Sequence, residues 1–271
     1  MTNFVDATHL DGDDGRYTAN LHPDWEVWGP NGGYLSAIAL RAAGKVAPTG
    51  HRPAAYSGQY LSSPVSEAVI VEAEVVKPGR SAALTNIRLT QNARTVVQAQ
   101  VWTTSREAGP QRLDIEPPKV PAPGGLRPFE SYMAAEPHPF WSHMEGRPVQ
   151  FFADDEVGPQ YAAAECWYRI KDFQPTADEF LNAGRMLLLI DTLPWPTFHR
   201  AHTERPVSFI APSLDLSVWF HQPIGDADWL LAHSYAPVAN TGLIHGGARI
   251  WSEDMRLLAS GGSQLLVVDA R

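Results

Sequence analysis

Leu181-Asn182-Ala183-Gly184-Arg185-Met186-Leu187-Leu188-Leu189-Ile190-Asp191-Thr192-Leu193-Pro194 is the stretch on which the fold turns. It predicts one apolar helix that opens near Asn182 and Gly184 and stops at Pro194, whose ring cannot continue it. Asp191 breaks two local rules. In a last turn the helix macrodipole disfavours a carboxylate. At i−3, i−4 and i−7 the acid also shares a face with Leu188, Leu187 and Gly184. A residue placed against both rules is a candidate for function, and bracing of the turn into Pro194 is the plainer alternative.

The rest of the chain gives that helix a setting. The 271 residues, 44% hydrophobic and 19% charged, suit two small domains or one large one with ample core. A net charge of −9 argues against nucleic acid or an anionic membrane as partner. No apolar run is long enough to span a membrane. Asp6, Asp11, Asp13 and Asp14 make the first residues unlike a signal peptide. Cys166 is the single cysteine, which allows no internal disulfide and suits a reducing, cytoplasmic setting.

In the first half, Arg16–Leu21 reads as a strand, and Asp11-Gly12-Asp13-Asp14-Gly15 as a turn because its glycine spacing is wrong for a calcium loop. Asn31-Gly32-Gly33 then precedes a helix of small residues, Leu35–Ala43. Free N–H groups at such a helix start are a ready site for a carbonyl or anion, so Asn31, Gly32 and Gly33 are candidate substrate-binding residues. Period-two strands follow at Tyr56–Ser62, Val69–Val76, Ala83–Thr90 and Thr95–Thr103. A helix followed by a meander of long antiparallel strands lets the sheet wrap the helix.

Residues 106–147 are rich in proline and read as a linker between two domains, 1–105 and 148–271. The second half repeats the first: a strand at Ala163–Ile170, the helix quoted above, then strands at Pro212–His221, Trp229–Tyr235, Leu243–Ser252 and Leu257–Val268. Setting Pro64 against Pro223 aligns Tyr60-Leu61-Ser62-Ser63-Pro64 with Trp219-Phe220-His221-Gln222-Pro223, as in an internal duplication. That alignment puts Ala54 of the first copy opposite Ser213, and setting Gly33 against Gly184 puts Leu40 opposite Asp191. One site per chain is therefore expected, built mainly by the second copy and facing the Gly32-Gly33 helix start.

This order, together with Ser213-Leu214-Asp215-Leu216-Ser217-Val218-Trp219-Phe220-His221, Trp229-Leu230-Leu231 and Gly242-Leu243-Ile244-His245-Gly246, resembles the double hotdog acyl-CoA thioesterases. The resemblance covers nearly the whole chain. It implies an α+β fold of two tandem hotdog repeats, each an antiparallel sheet wrapped around a central helix. It also implies a site made of a helix Asp, here Asp191, a Ser or Thr, here Ser213, and a Gln on the last strand. At that third position the chain departs from the pattern. The slot falls on Ser263, and the neighbouring glutamine is Gln264. Adjacent strand residues face opposite ways. Either Gly261-Gly262 permits a bulge that turns Gln264 inward, the reading preferred here, or Ser263 fills the slot.

From the residues alone, alternation sets Ser213, Asp215, Ser217 and Trp219 on one strand face, either solvent-exposed or lining a pocket, and Leu214, Leu216 and Val218 on the other. The resemblance implies hydrolysis of acyl-CoA by water that Asp191 activates, with no cofactor, and it admits a homodimer or higher homo-oligomer. Arg41, Lys45, His51 and Arg52 are the candidate contacts for the anionic carrier. Two rivals stand beside it: an acyl-CoA or lipid-binding protein without activity, and a hydratase or dehydratase, which needs a histidine that neither helix core offers. No Gly-x-Ser-x-Gly elbow or phosphate loop occurs. His199 and His202 lack metal-ligand partners at suitable spacing, and Cys166 reads as a small buried residue.

Overall fold

The computed structural model describes residues 1–132, 138–151, 160–202 and 208–269. The first half contains α1 (Phe4–Ala7), β1 (Asp11–Asp13), β2 (Arg16–Asn20), α2 (Gly32–Val46), β3 (Arg52–Tyr60), β4 (Ala68–Lys77), β5 (Ala82–Gln91) and β6 (Arg94–Thr104). The second contains β7 (Met144–Pro148), β8 (Ala163–Ile170), α3 (Glu179–Thr192), α4 (Pro194–Ala201), β9 (Phe209–Ile210), β10 (Asp215–Phe220), β11 (Leu230–Asn240), β12 (Leu243–Trp251), β13 (Leu257–Leu266) and β14 (Val268–Asp269).

One antiparallel sheet runs β1-β2-β4-β5-β6-β3-β10-β13-β12-β11-β8-β7. The order is nearly a palindrome of the duplication. β2-β4-β5-β6-β3 and β8-β11-β12-β13-β10 are matching halves, and they join where β3 meets β10, with Gln59 opposite Asp215 and Ala55 opposite Trp219. This is the double hotdog expected from the sequence. The two central helices lie antiparallel against each other inside the sheet. Their contact is set by missing side chains. A Cβ on Gly33 would stand 2.7 Å from Leu188 Cα, one on Gly44 2.6 Å from the Phe180 ring, and one on Gly184 3.1 Å from Ala37 Cβ. Close backbone approach therefore puts the start of α2 at the end of α3.

Several details differ from expectation. α3 opens at Glu179, because the Asp178 carboxylate accepts from the backbone N–H groups of Phe180 and Leu181. Pro194 ends it as expected, yet it also begins α4, where a missing N–H costs nothing. The proline-rich stretch is no free linker. Pro121 C=O accepts from the Trp167 indole, Phe140 is fully buried, and β7 pairs with β8, so residues 144–147 belong to the second sheet half. Part of that stretch, residues 133–137, lies outside the described residues. The Asp11–Gly15 turn is a small hairpin whose bend sits at Asp14 and Gly15, both at positive φ. Among the described residues no helix is long and apolar enough to cross a membrane.

Candidate active site

Helix packing delivers Asp191 to a place its own sequence cannot reveal. It is 6% exposed, at the disfavoured end of α3, but that end abuts the favourable start of α2. The Gly33 N–H donates to Asp191 Oδ2 at 2.7 Å. An α2 N-terminus thus compensates the α3 C-terminus. Tyr60 donates to Oδ1 at 3.3 Å, and the Ser213 hydroxyl donates as well. Burial still dominates and raises the carboxyl to about 6; the three hydrogen bonds pull it down, and the Asp215 carboxylate nearby pushes it up.

Asn31 lines the cavity and spends one N–H and one lone pair on the helices. Its Oδ1 accepts the Tyr34 N–H to cap α2, and its Nδ2 donates to Thr192 Oγ1 at 3.0 Å, tying the two helices beside Asp191. Gly33 N–H is committed to the carboxylate. The anion that this N–H meets is thus the protein's own Asp191, where the sequence suggested a substrate carbonyl or anion. Of the first turn of α2, only Gly32 N–H has no protein partner among the described residues. A side chain at Gly32 would press on the site itself, since a Cβ there would lie 2.8 Å from Asp191 Oδ2 and 2.9 Å from Tyr60 Cζ.

Ser213 reaches the acid through a strand irregularity. Ser213 lies opposite Leu265, whereas Ser217 lies opposite Gly262, so β10 holds one residue more than β13 across this interval. The Asp215 carboxylate occupies the gap by accepting the Gln264 N–H at 2.8 Å. Simple alternation fails here: Leu216 and Val218 are buried, but Leu214 is 39% exposed and Ser213 turns inward to Asp191. The sequence reading that grouped Ser213 with Asp215 on one face is corrected accordingly.

At the departing position the preferred reading does not hold. β12 and β13 pair without a shift from Leu243–Leu266 to Ile250–Ala259, so Gly261-Gly262 makes no bulge against β12. Ser263 is 2% exposed and its hydroxyl has no partner among the described residues, while Gln264, opposite His245, alternates to the other face. Gln264 is thus not brought to Asp191. The inward slot beside the α3–α4 junction is held by Ser263, whose neighbour Gly246 backs onto Pro194.

A cavity of about 970 Å³ opens over this cluster, lined by Gly32, Tyr60, Asp191, Ser213 and aromatic residues from both halves. Trp28 and Trp195 meet edge to face, centroids 5.3 Å apart, and the supposed linker contributes Phe129, Tyr132 and Trp141. The basic candidates do not reach it. Arg41 donates to Val5 C=O and Thr8, His51 bonds Thr103 and Arg80 C=O, and with Lys45 and Arg52 they lie toward the far end of α2. A helix of that length spans about 22 Å. Cys166 is buried in the cavity wall, and burial pushes its thiol up, out of thiolate range.

Sequence reasoning missed Tyr60 and the residues behind it. Tyr60 had served as an alignment anchor, but a tyrosine at a strand end carries no local sign that it faces an acid on another helix.

Residues 21–104 match the acyl-CoA thioesterase N-terminal domain, and residues 110–268 match the acyl-CoA thioesterase C-terminal domain. Comparison with curated proteins gave no match. Among solved structures the chain is similar to a hot dog fold protein from Alicyclobacillus acidocaldarius, at 23% identity and TM-score 0.84 over 99% of this chain and 98% of that one. It is similar in fold to an acyl-CoA thioesterase II from Mycobacterium marinum, at 16% identity and TM-score 0.80 over 98% of each chain. A dehydratase domain from Mycobacterium tuberculosis, in complex with C12:1-CoA, shares the fold at 11% identity and TM-score 0.50, over 98% of this chain and all of that one (100%). Two tandem family domains spanning most of its length place the chain in the acyl-CoA thioesterase family.

Proposed function

We propose that the protein hydrolyses acyl-CoA thioesters to a carboxylic acid and CoA. The observation that carries this reading is a buried carboxylate, Asp191, held by donors from both copies on the wall of a large, mostly apolar cavity. A base with its pKa near 6 is ionised at neutral pH and is still basic enough to take a proton. Water held by Asp191 attacks the thioester carbonyl; its proton passes to the carboxylate as the C–O bond forms. The developing oxyanion meets Gly32 N–H at the α2 start, and donors so placed are worth about 3–4 kcal/mol each. Collapse expels the CoA thiolate, which leaves without a strong general acid. Ser213 holds the carboxylate in place.

The experiment is thiol release from a chain-length series of acyl-CoAs, comparing the native protein with Asp191→Asn. Release that the substitution abolishes supports hydrolysis. Saturable acyl-CoA binding with no release supports the second reading, a binding protein, which the serine in the inward β13 slot favours. A hydratase is less well served: His138 and His199 line the cavity, but among the described residues no histidine hydrogen-bonds Asp191.

A further inference from the structure

Behind Asp191 lies a row of hydroxyls that hydrolysis as described does not use. Tyr56 donates to Ser36 Oγ at 2.8 Å, Ser36 Oγ lies 2.8 Å from the Tyr60 hydroxyl, and Tyr60 donates to Asp191 Oδ1. Each hydroxyl has one proton to donate and Tyr60 spends its own on Asp191, so Ser36 donates to Tyr60 and the row runs in one direction, toward the carboxylate. Such chains polarise cooperatively in a low-dielectric interior. Tyr60 remains a donor at any working pH: burial, then the adjacent Asp191, hold its phenol well above the usual value. Tyr56 and Ser36 are buried and do not line the cavity; only Tyr60 bridges from that buried row to the site.

The placement is specific. Tyr60 ends β3, opposite Leu214, and its N–H donates to Leu214 C=O at 2.9 Å, next to Ser213. Gly58, its inward neighbour on β3, leaves the space that the Tyr56 hydroxyl fills, since a Cβ there would lie 2.5 Å from it. Both first-copy residues are therefore positioned by the same sheet seam that delivers Ser213. The groups acting on Asp191 are Gly33 N–H from α2, Tyr60 from β3, Ser213 before β10 and, without direct contact, the Asp215 carboxylate and the Tyr56 phenol.

We propose that Tyr60 is a positioning residue, loaded by Ser36 and Tyr56, that fixes the orientation of Asp191 and holds it in the ionised, proton-accepting state. The proposal rests on the reading of Asp191 as the base of a thioesterase. It makes the first copy, which lacks an acid of its own, the half that tunes the acid of the second.

The test pairs Tyr60→Phe with Ser36→Ala and reads two quantities: the pH dependence of kcat, and the titration of the Asp191 carboxyl carbon by NMR on ¹³C-aspartate-labelled protein, assigned with Asp191→Asn. Tyr60→Phe should move the midpoint up by about one pH unit and lower kcat about tenfold at neutral pH, with KM little changed. Ser36→Ala, which touches neither the carboxylate nor the cavity, should move the midpoint in the same direction by less. The double variant should shift no further than Tyr60→Phe alone, because Ser36 acts through Tyr60. An unmoved midpoint in Tyr60→Phe overturns the proposal, whatever happens to the rate. An unmoved midpoint in Ser36→Ala overturns the row and reduces Tyr60 to a single contact. If no acyl-CoA is hydrolysed, the base reading fails separately, and the carboxyl titration still decides whether Tyr60 holds the ionised state.

Discussion

The Gly33 N–H stands 2.7 Å from Asp191 Oδ2, joining the first turn of one central helix to the last turn of the other. One bond spans the two halves of the duplication and satisfies an orphan donor of α2 with an acid that α3 disfavours. The arrangement has measurable consequences.

Replacing the acid should separate activity from stability. Asp191→Asn removes the proton acceptor and should lower kcat by ~10²–10⁴-fold at pH 7.5. Folding should respond oppositely. Burial raises the carboxyl from 3.8 to about 6, so between those values the folded chain keeps a proton that the unfolded chain has released. Stability contributed by that proton is present below the lower value and is lost as pH rises through the upper one. Ionising Asp191 therefore costs ~2–3 kcal/mol at neutral pH. Asp191→Asn should melt ~5 °C higher than the native protein at pH 7.5, a gap that closes toward pH 4 in calorimetry. Equal melting points at both pH values would contradict the raised pKa.

The adjacent glycines should fail in different ways. Gly32→Ala puts a methyl against Asp191 Oδ2 and the Tyr60 ring, two groups that can give a little. Its cost in stability should be ~1–3 kcal/mol, with thiol release nearly abolished. Gly33→Ala drives Cβ into the Leu187 and Leu188 backbone, which cannot move without separating the helices. A folding defect larger than that of Gly32→Ala is expected in denaturant titrations.

On β13 the informative pair is Gln264→Ala and Ser263→Ala. Gln264 faces away from the cluster, so its truncation should leave kcat/KM within about twofold. Ser263→Ala removes a buried hydroxyl that has no partner among the described residues and should be neutral or stabilising by up to ~1 kcal/mol. A large rate loss in Gln264→Ala would mean that the glutamine reaches the site after all.

Asp215 should tune Asp191 without touching substrate. Asp215→Asn retains an oxygen that accepts the Gln264 N–H but removes the like charge, so the acid limb of the pH–rate profile should move down. Asp215→Ala also frees the Gln264 amide and loosens the turn that presents Ser213, so kcat should fall as well. A limb that stays fixed in Asp215→Asn would show that its charge is screened from the acid.

Much of this molecule is written locally. The apolar run 181–194, the small-residue helix after Asn31 and the period-two strands were legible because each element carries its own pattern. The duplication was legible because the pattern recurs, and Asp191 because it contradicts its surroundings. What the chain does with those elements was not local. Which N–H of α2 is spent on Asp191, that Tyr60 and Ser213 meet it from opposite sides of a seam, and that Arg41 and His51 lie toward the wrong end of a helix all depend on antiparallel helix packing. Alternation also misplaced Ser213, because one extra residue in β10 flips its face, and a bulge depends on the partner strand as much as on its own sequence. The sequence by itself determined the repeat, its helices and strands, and the odd acid. Only the tertiary structure decided the acid's partners, because hydrogen bonds across two copies of a fold follow from close approach of backbones distant in the chain.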